Sequence, residues 1–316
     1  LFPPCPASIT TNAMPYAPLH TYFYIICGKH VFCSRVIDNP PYHVTIRNGS
    51  SKPSCHGNGL PYPKTKLRRK GAAYALRRPF GRFFDMERYS KILEKRKREI
   101  VLLRGSGCVY RKCAFCDYHT DKCSDQEANF SLNSQVLDMV TGEFGDLEVI
   151  NSGSVFELDS RTLALIRQIC LEKEISTIHF ESHYLYRDRI PALRREFASF
   201  RLKLKLGLET FDYDFRENVL KKGIPERDAA LLSRDFDEAN LLFGLKGQTL
   251  ASMERDISLG LSCFQRLCVN IMCPNTTAIL PDEHVISLFL EHLYPKYKDH
   301  DRIDILIQNT DFGVGD

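Results

Sequence analysis

Ile100-Val-Leu-Leu-Arg-Gly-Ser-Gly-Cys-Val-Tyr-Arg-Lys-Cys-Ala-Phe-Cys-Asp117 joins a short apolar run to a loop with three cysteines in nine residues. The run Ile100-Val-Leu-Leu103 has the length and composition of a buried strand. Cys108, Cys113 and Cys116 follow close on its end. Three thiolates on one loop hold three irons of a cubane cluster and leave the fourth iron open. An open iron is a place for chemistry, whereas four protein thiolates make an electron carrier. The competing reading is a zinc loop with a distant fourth ligand, but no second cysteine pair lies near by in the sequence.

Outward from this loop, strand-like and helix-like segments alternate. Strands are expected at 99–104, 147–151, 177–181, 202–209, 240–244 and 266–272, with a closing strand at 302–308. Helices are expected at 86–98, 133–144, 159–172 behind an Asp159 cap, 187–197 with a kink at Pro191, 250–263 and 281–293. Helical turns follow residue 209 as far as Leu220. About six β-then-α units predict an α/β fold: a partial (β/α)6 TIM-like barrel with a closing C-terminal strand, preceded by a poorly structured N-terminal segment. Chemistry in such folds sits at the carboxyl ends of the strands. Ser152, Gly153 and Ser154 fall there, as do Glu181, His183, Glu209, Lys246, Gln248, Asn309 and Asp311.

Charge and proline content divide the 316 residues. Residues 1–85 hold twelve Lys or Arg against two acids, a balance of +10, so the net +4 of the chain leaves −6 for residues 86–316. Eleven of the sixteen prolines precede Met86. Two domains are therefore expected: a basic, Pro-rich segment at 1–85, disordered or not natively translated, and a catalytic domain at 86–316. For the first segment the alternatives are a transit-like leader, a zinc site using Cys27, Cys33, Cys55 and His56, or a nucleic-acid-binding arm around 64–70. The apolar run Tyr22-Phe-Tyr-Ile-Ile-Cys27 is far short of the ~20 residues of a membrane span, so no membrane partner is expected. Clustered cysteines in a chain able to bury its own core point to metal or catalysis, not to a disulfide scaffold.

The cysteine loop, its place after the first strand and the aromatic Phe115 before the third thiol resemble the radical S-adenosylmethionine superfamily. The first gap is four residues long where the superfamily has three. Phe243-Gly-Leu-Lys-Gly-Gln-Thr249 resembles that superfamily's Gly-Leu-Pro-Gly-Glu-Thr turn after strand five. Gly207-Leu-Glu-Thr210 with Val219-Leu-Lys-Lys-Gly223 resembles its strand-four segment. Ser152-Gly153-Ser154 stands where the usual Gly-Gly-Glu turn would be. Within the superfamily, residues 86–316 resemble the queuine lyases, which are bacterial salvage enzymes. The likeness runs through Cys-Asp-Tyr-His119, Val-Ile-Asn-Ser-Gly-Ser154, Glu-Thr-Phe-Asp-Tyr-Asp-Phe-Arg216 and Gln-Asn-Thr-Asp-Phe-Gly-Val-Gly315.

That resemblance implies a [4Fe-4S] cluster on Cys108, Cys113 and Cys116, with S-adenosyl-L-methionine on the open iron. It implies a 5′-deoxyadenosyl radical that cleaves queuine to 7-aminomethyl-7-deazaguanine. Phe115, Tyr118, Ser152, Gly153, Ser154, Glu181 and Gly247 become cofactor-binding candidates. Glu181, His183 and Asp311 are the catalytic candidates. A deazaguanine edge presents two donors side by side, which a carboxylate matches. Glu209, Asp212, Asp214 and Asp311 are therefore substrate-binding candidates, and the resemblance adds Asn309. The expected partners are queuine or a related 7-deazaguanine and an electron donor such as flavodoxin or ferredoxin, in a reducing cytoplasmic setting. Nucleic acid is not expected, since the −6 of residues 86–316 opposes a polyanion. Two other functions compete: a different radical enzyme acting on a modified base or tRNA, and a zinc or iron–sulfur module without turnover.

Plainer roles are weighed for the same residues. Cys123, Cys170, Cys263, Cys268 and Cys273 read as small buried hydrophobes. His179 reads as a core histidine, Glu209 and Asp212 as caps of the next turn, and Lys221 and Lys222 as a solvated helix end.

Overall fold

A computed structural model describes residues 87–307 in full, together with the backbone of 22–27 and 30–35. The chain divides into two compact units, Leu1–Leu76 and Arg77–Asp316. In the first, β1 (Tyr22–Cys27) and β2 (His30–Arg35) pair antiparallel, with Cys27 opposite His30. The apolar run at 22–27 is thus one arm of a hairpin, where no strand period was expected. The other expectations for residues 1–85 lie outside the described residues, as do those for Asn309 and Asp311.

The second unit carries β3 (Tyr89–Ile92), β4 (Arg98–Leu103), β5 (Asp146–Asn151), β6 (Thr177–Ser182), β7 (Arg201–Glu209), β8 (Glu238–Phe243), β9 (Arg266–Ile271) and β10 (Ile303–Leu306). These form one sheet in the order β10-β9-β8-β7-β6-β5-β4-β3. From β4 to β10 every pairing is parallel, and β3 runs antiparallel beside β4. Strands that follow one another in sequence lie side by side, as short right-handed βα units require. The sheet curls into an open half-barrel, the partial α/β barrel that the alternation predicts.

Its helices are α1 (Gln126–Leu137), α2 (Ser160–Glu172), α3 (Ile190–Glu196), α4 (Ala229–Asp235), α5 (Leu250–Cys263), α6 (Glu283–Leu288) and α7 (Tyr294–Tyr297). Asp159 caps α2 through bonds from the Arg161 and Thr162 amides, as expected. Elsewhere four expectations are corrected. The helix expected at 86–98 is absent among the described residues, 87–98. Tyr89 packs on the outer core and Ile92 on the inner face beside Ile100, so residues three apart point oppositely, as in a strand. The helix expected at 133–144 lies earlier, because Asp125 caps it and Asn129 and Asn133 turn inward to bind Arg104. Pro191 kinks nothing; it sits in the first turn of α3, where its missing N–H is harmless. The helix expected at 281–293 breaks into α6, a π-turn at Phe289–Leu293 and α7, with Pro295 opening α7.

The two faces of the sheet differ in chemistry. Outward-pointing Val101, Val149, Phe180, Leu204, Leu241 and Val269 are fully buried in the continuous apolar core that the helices cover. The inner face at the strands' amino ends is charged. Glu148 on β5 takes Lys205 from β7, Arg98 from β4 at 2.5 Å and Arg266 from β9 at 3.3 Å. Arg266 also reaches Glu238 at 2.8 Å, and both Arg98 and Arg266 reach Asp304 of β10 at 3.0 Å. Burial alone would raise the Glu148 pKa, but the three cations hold it well below the usual carboxylate range. Arg98 to Asp304, and Lys95 to the Ile303 carbonyl at 2.6 Å, tie the two ends of the open sheet together at this pole. The site lies at the opposite pole, on the loops after the strands.

Candidate active site

The cysteine loop leaves the end of β4 and is fixed on three sides. On one side it rests on the segment after β7. The Tyr110 hydroxyl donates to the Lys221 carbonyl at 2.7 Å, and the Ala114 amide donates to the Leu220 carbonyl at 2.9 Å. The Tyr110 ring stacks on His183 at 4.6 Å between centroids and lies over Gly223, where any Cβ would fall 2.3 Å from the Tyr110 oxygen. On a second side stands the loop after β5. Glu157 accepts from the Val109 amide at 2.7 Å, from the Ser154 amide at 2.7 Å and from the Tyr186 hydroxyl at 3.0 Å. A Cβ at Gly153 would meet Glu157 Oε2 at 1.9 Å and Cys108 Cα at 3.1 Å, so only glycine lets these two loops approach. On the third side, after β9, Asn275 Nδ2 donates to the Phe115 carbonyl at 2.6 Å, and Thr276 donates to Asp117 through amide and hydroxyl at 2.9 Å each. Within the first gap Arg111 is left-handed at φ 49°, and its Nε donates back to the Cys108 carbonyl at 2.6 Å.

Cys108, Cys113 and Cys116 are all free and partly buried. Burial pushes the Cys113 thiol up to about 12 and raises Cys116 as well, while the Lys222 ammonium works against burial at both. Such thiols become thiolates at neutral pH only when a metal centre takes the charge. Among the described residues no group of His, Cys, Asp or Glu suits a single metal ion. By donor chemistry, three soft thiols carried on one loop are the ligand set for three corners of a cluster.

Lys222 corrects a sequence expectation. It is no solvated helix end but 8% exposed, with Nζ 2.7 Å from Glu209 and 5.5 Å from the Phe115 ring centroid. Burial works to lower its pKa, yet the Glu209 carboxylate outweighs it and holds the lysine charged above its ordinary range. Gly207 makes room for this pair, since a Cβ there would lie 3.0 Å from Nζ. Glu209 itself is left-handed at φ 72°, an observed strain at the end of β7, where the register shifts. His183 belongs to the same group. Its Nδ1 accepts from the Leu185 amide at 3.1 Å, so Nε2 carries the proton and donates to the Lys222 carbonyl at 2.9 Å. Burial, then the Lys222 charge, lowers its pKa to about 4, and the ring is neutral at neutral pH.

The other candidates separate. Glu181 faces the barrel interior, half-buried, with Oε1 receiving Asn240 Nδ2 at 3.0 Å and Lys205 Nζ at 3.5 Å. The buried Asn240 Oδ1 has no hydrogen-bond partner among the described groups. Ser152 donates to Asp121 at 3.2 Å, and Ser154 to Ser182 at 3.1 Å, beside the cysteine loop. Phe115 packs with Leu220, Leu242, Leu245 and Met272. A cavity of about 420 Å³ adjoins this cluster, sharing Leu220 and Leu245 with it and also lined by Phe215, Val219 and Ile279. Gly247 takes φ 98° close to Phe215, and Tyr118 is half-exposed with its amide on the Cys116 sulfur. Asp212 caps the turn at Phe215–Val219 through the Phe215 amide at 3.0 Å, and Asp214 is exposed at its start; neither joins the Lys222 group. Glu157, Tyr110 and Asn275 are contributors that the sequence reading passed over. Only Glu157 left a signal, the Ser154–Glu157 capping-box spacing.

No protein-family model matches the chain, and no curated protein does. Among solved structures, the queuine lyase from Clostridium spiroforme bound to SAM and queuine aligns at 44% identity and a TM-score of 0.70, over 73% of this chain and 100% of that one. The chain belongs to the queuine lyase family. Queuine lyases are radical S-adenosylmethionine enzymes. Two structures of SuiB from Streptococcus suis, one bound to S-adenosylmethionine, align over 65% of the chain at 14% identity, with TM-scores of 0.44 and 0.43 and coverage of 48% and 46% of SuiB. That likeness is too distant to argue from.

Proposed function

We propose that this chain is a radical S-adenosylmethionine lyase that cleaves queuine to 7-aminomethyl-7-deazaguanine. The observation that carries the reading is alignment along the whole length of a queuine lyase that holds both SAM and queuine, at 44% identity over 73% of this chain. A [4Fe-4S] cluster with bound S-adenosylmethionine supplies one-electron cleavage of the sulfonium to a 5′-deoxyadenosyl radical. Cys108, Cys113 and Cys116 would hold that cluster. Tyr110, Glu157 and Asn275 keep the loop in place, and the neutral His183 ring stiffens Tyr110 without offering a proton. Lys222 and Glu209 are charged groups suited to the carboxylate and hydroxyls of the cofactor, and the apolar surroundings of Phe115 suit its adenine. Ser152, Gly153, Ser154, Tyr118 and Gly247 complete that side. Covering by these residues keeps water from a reactive carbon radical.

Glu181 is the carboxylate for the paired N–H donors of the deazaguanine edge. Asn240 supports it, because its Oδ1 is a buried acceptor with no hydrogen-bond partner and calls for a donor from a ligand. With Glu181 on the deazaguanine edge, Asp212, Asp214, Asn309 and Asp311 are left as candidates for the other polar groups of the substrate. We assign the domain to 86–316 and its setting to a reducing cytoplasm, where an open iron survives; among the described residues no helix is long and apolar enough to cross a membrane. The test is mass spectrometry after anaerobic incubation of the reconstituted, reduced protein with S-adenosylmethionine and queuine. Release of 5′-deoxyadenosine together with the aminomethyl base is expected. Absence of both removes the reading, and nucleoside without the base points to another modified-base substrate.

A further inference from the structure

Between the end of β7 and the start of α4, residues 210–228 hold one π-turn, at Phe215–Val219, and no longer helix or strand. A stretch of more than about 12–15 residues without regular structure is uncommon and as a rule serves function. Its backbone groups still need partners. One side chain supplies several of them. Arg216 is fully buried, and its guanidinium points back at its own loop. Nη1 donates to the Thr210 carbonyl at 3.2 Å, Nη2 to the Ile224 carbonyl at 3.1 Å and to the Glu226 carbonyl, and Nε to the Glu217 carboxylate at 3.2 Å. Glu217 carries the tie onward, accepting from the Gly223 amide at 2.8 Å and the Ile224 amide at 3.0 Å. The two limbs of the loop, at 210 and at 224–226, are drawn together through one guanidinium. The stretch between those limbs faces the site. Three successive carbonyls, of Leu220, Lys221 and Lys222, accept from the Ala114 amide, the Tyr110 hydroxyl and His183 Nε2. The Lys222 ammonium turns to Glu209. The backbone that allows this is unusual: Lys221 is left-handed at φ 55° and Gly223 at φ 71°, and the Lys222 amide returns to the Arg216 carbonyl at 3.1 Å. A left-handed lysine is strained and persists only where its surroundings over-determine it.

We infer that Arg216 is a positioning residue for S-adenosylmethionine binding: its planar fork fixes residues 220–223 and, through them, the Lys222 ammonium and the cysteine loop. The inference rests on the cluster reading given above and on the assignment of Lys222 and Glu209 to the cofactor. Among the described residues the Arg216 guanidinium makes no hydrogen bond to the cysteine loop, to His183 or to the Lys222 side chain, so it acts on them through the backbone. The three carbonyls that it takes all lie outside strand and helix. The guanidinium therefore sets the course of the loop and does not join it to a neighbouring element. The role calls for arginine. A lysine ammonium in the same place is one compact charge and cannot span acceptors on both limbs. Glu217 neutralises the buried guanidinium, and an ionised carboxylate is an acceptor that can take Nε together with two amides.

Hydrogen exchange read by mass spectrometry tests this on the iron-free protein, with Arg216→Lys and Glu217→Gln as the variants. Arg216→Lys is expected to speed exchange in peptides covering 109–116 and 219–224 about tenfold or more, while β4, β5 and β6 stay within about twofold of the parent. Glu217→Gln keeps the guanidinium and loses one acceptor. It should show the same pattern more weakly, and it keeps the test open if the first variant is unstable. The second readout uses the reconstituted, reduced proteins and the EPR spectrum of the cluster. Normalised to bound iron, the S-adenosylmethionine concentration that half-completes the spectral shift should rise about tenfold in Arg216→Lys. Faster exchange spread evenly over strands and loops would make Arg216 a stabiliser of the fold and nothing more, and would overturn the inference. Exchange or an S-adenosylmethionine midpoint unchanged in both variants would overturn it too. A parent protein whose spectrum ignores S-adenosylmethionine would count instead against the proposed function, since the exchange pattern is read without the cofactor.

Discussion

Lys222 shows how much of the site hangs on single buried side chains. In sequence it is the second of two lysines before a glycine, indistinguishable from a solvated helix end. Only the fold brings Glu209, thirteen residues earlier, to 2.7 Å from it. Removing one partner of a buried pair leaves the other charge stranded, at about 3 kcal/mol or more. Lys222→Met is therefore expected to lower the melting temperature by several degrees and to weaken iron loading. Adding Glu209→Gln should recover most of the stability, because the stranded charge is gone. Calorimetry of the two variants and the parent checks this. Asp256 gives a pH prediction away from the metal site. It is buried on α5, accepts from Thr210 Oγ1 at 2.6 Å and the Phe211 amide at 3.1 Å, and burial raises its pKa from 3.8 to about 6. A folded-state pKa above the unfolded value means stability is fully present below about pH 4 and is lost as pH rises through 6, on the order of 2 kcal/mol. Asp256→Asn should remove that loss, so thermal melts from pH 4 to 7 should flatten in the variant; an undiminished slope contradicts the assignment.

At the scale of elements, the loops after β5, β7 and β9 act together as a cradle for the cysteine loop. Glu157 is the tie on the β5 side. Its carboxylate accepts three hydrogen bonds, two of them from backbone amides, and a bond to a charged group is worth about 1.5–3 kcal/mol. Glu157→Ala is expected to melt earlier and to be cut faster by trypsin at Arg111 and Lys112, with less iron bound per chain. Unchanged proteolysis would show that the other two sides suffice. Sequence periodicity located the strands well, because buried parallel strands read as apolar runs wherever they occur. It failed at residues 86–98. Tyr89, Ile92 and Leu93 have helical spacing, but β4 needs an edge partner and takes this segment as a strand. The hairpin of β1 and β2 was missed although Gly28-Lys29, between two runs rich in aromatic and branched residues, is a two-residue turn signal.

For the whole molecule, the half-barrel has an apolar outside, a charged pole and a reactive pole. The alternation of segments made the barrel legible, and the cysteine spacing made the metal site legible. The charged pole was not legible, because isolated residues such as Glu148 and Arg266 inside apolar runs give no sign of meeting. That pole holds the sheet in its curl, so Glu148→Ala, which removes the one acid shared by Lys205, Arg98 and Arg266 and leaves them on Glu181, Asp304 and Glu238, should destabilise the fold by about 3 kcal/mol in a urea melt. The reactive pole depends on one property of the cysteine loop, that three thiolates leave a cluster iron for S-adenosylmethionine. The most direct measurement is low-temperature EPR of the reduced, reconstituted protein while S-adenosylmethionine is titrated in. A cluster spectrum that shifts on addition, and that disappears in each of Cys108→Ala, Cys113→Ala and Cys116→Ala, is expected. A spectrum indifferent to S-adenosylmethionine, or one that survives loss of any of the three, would contradict the account.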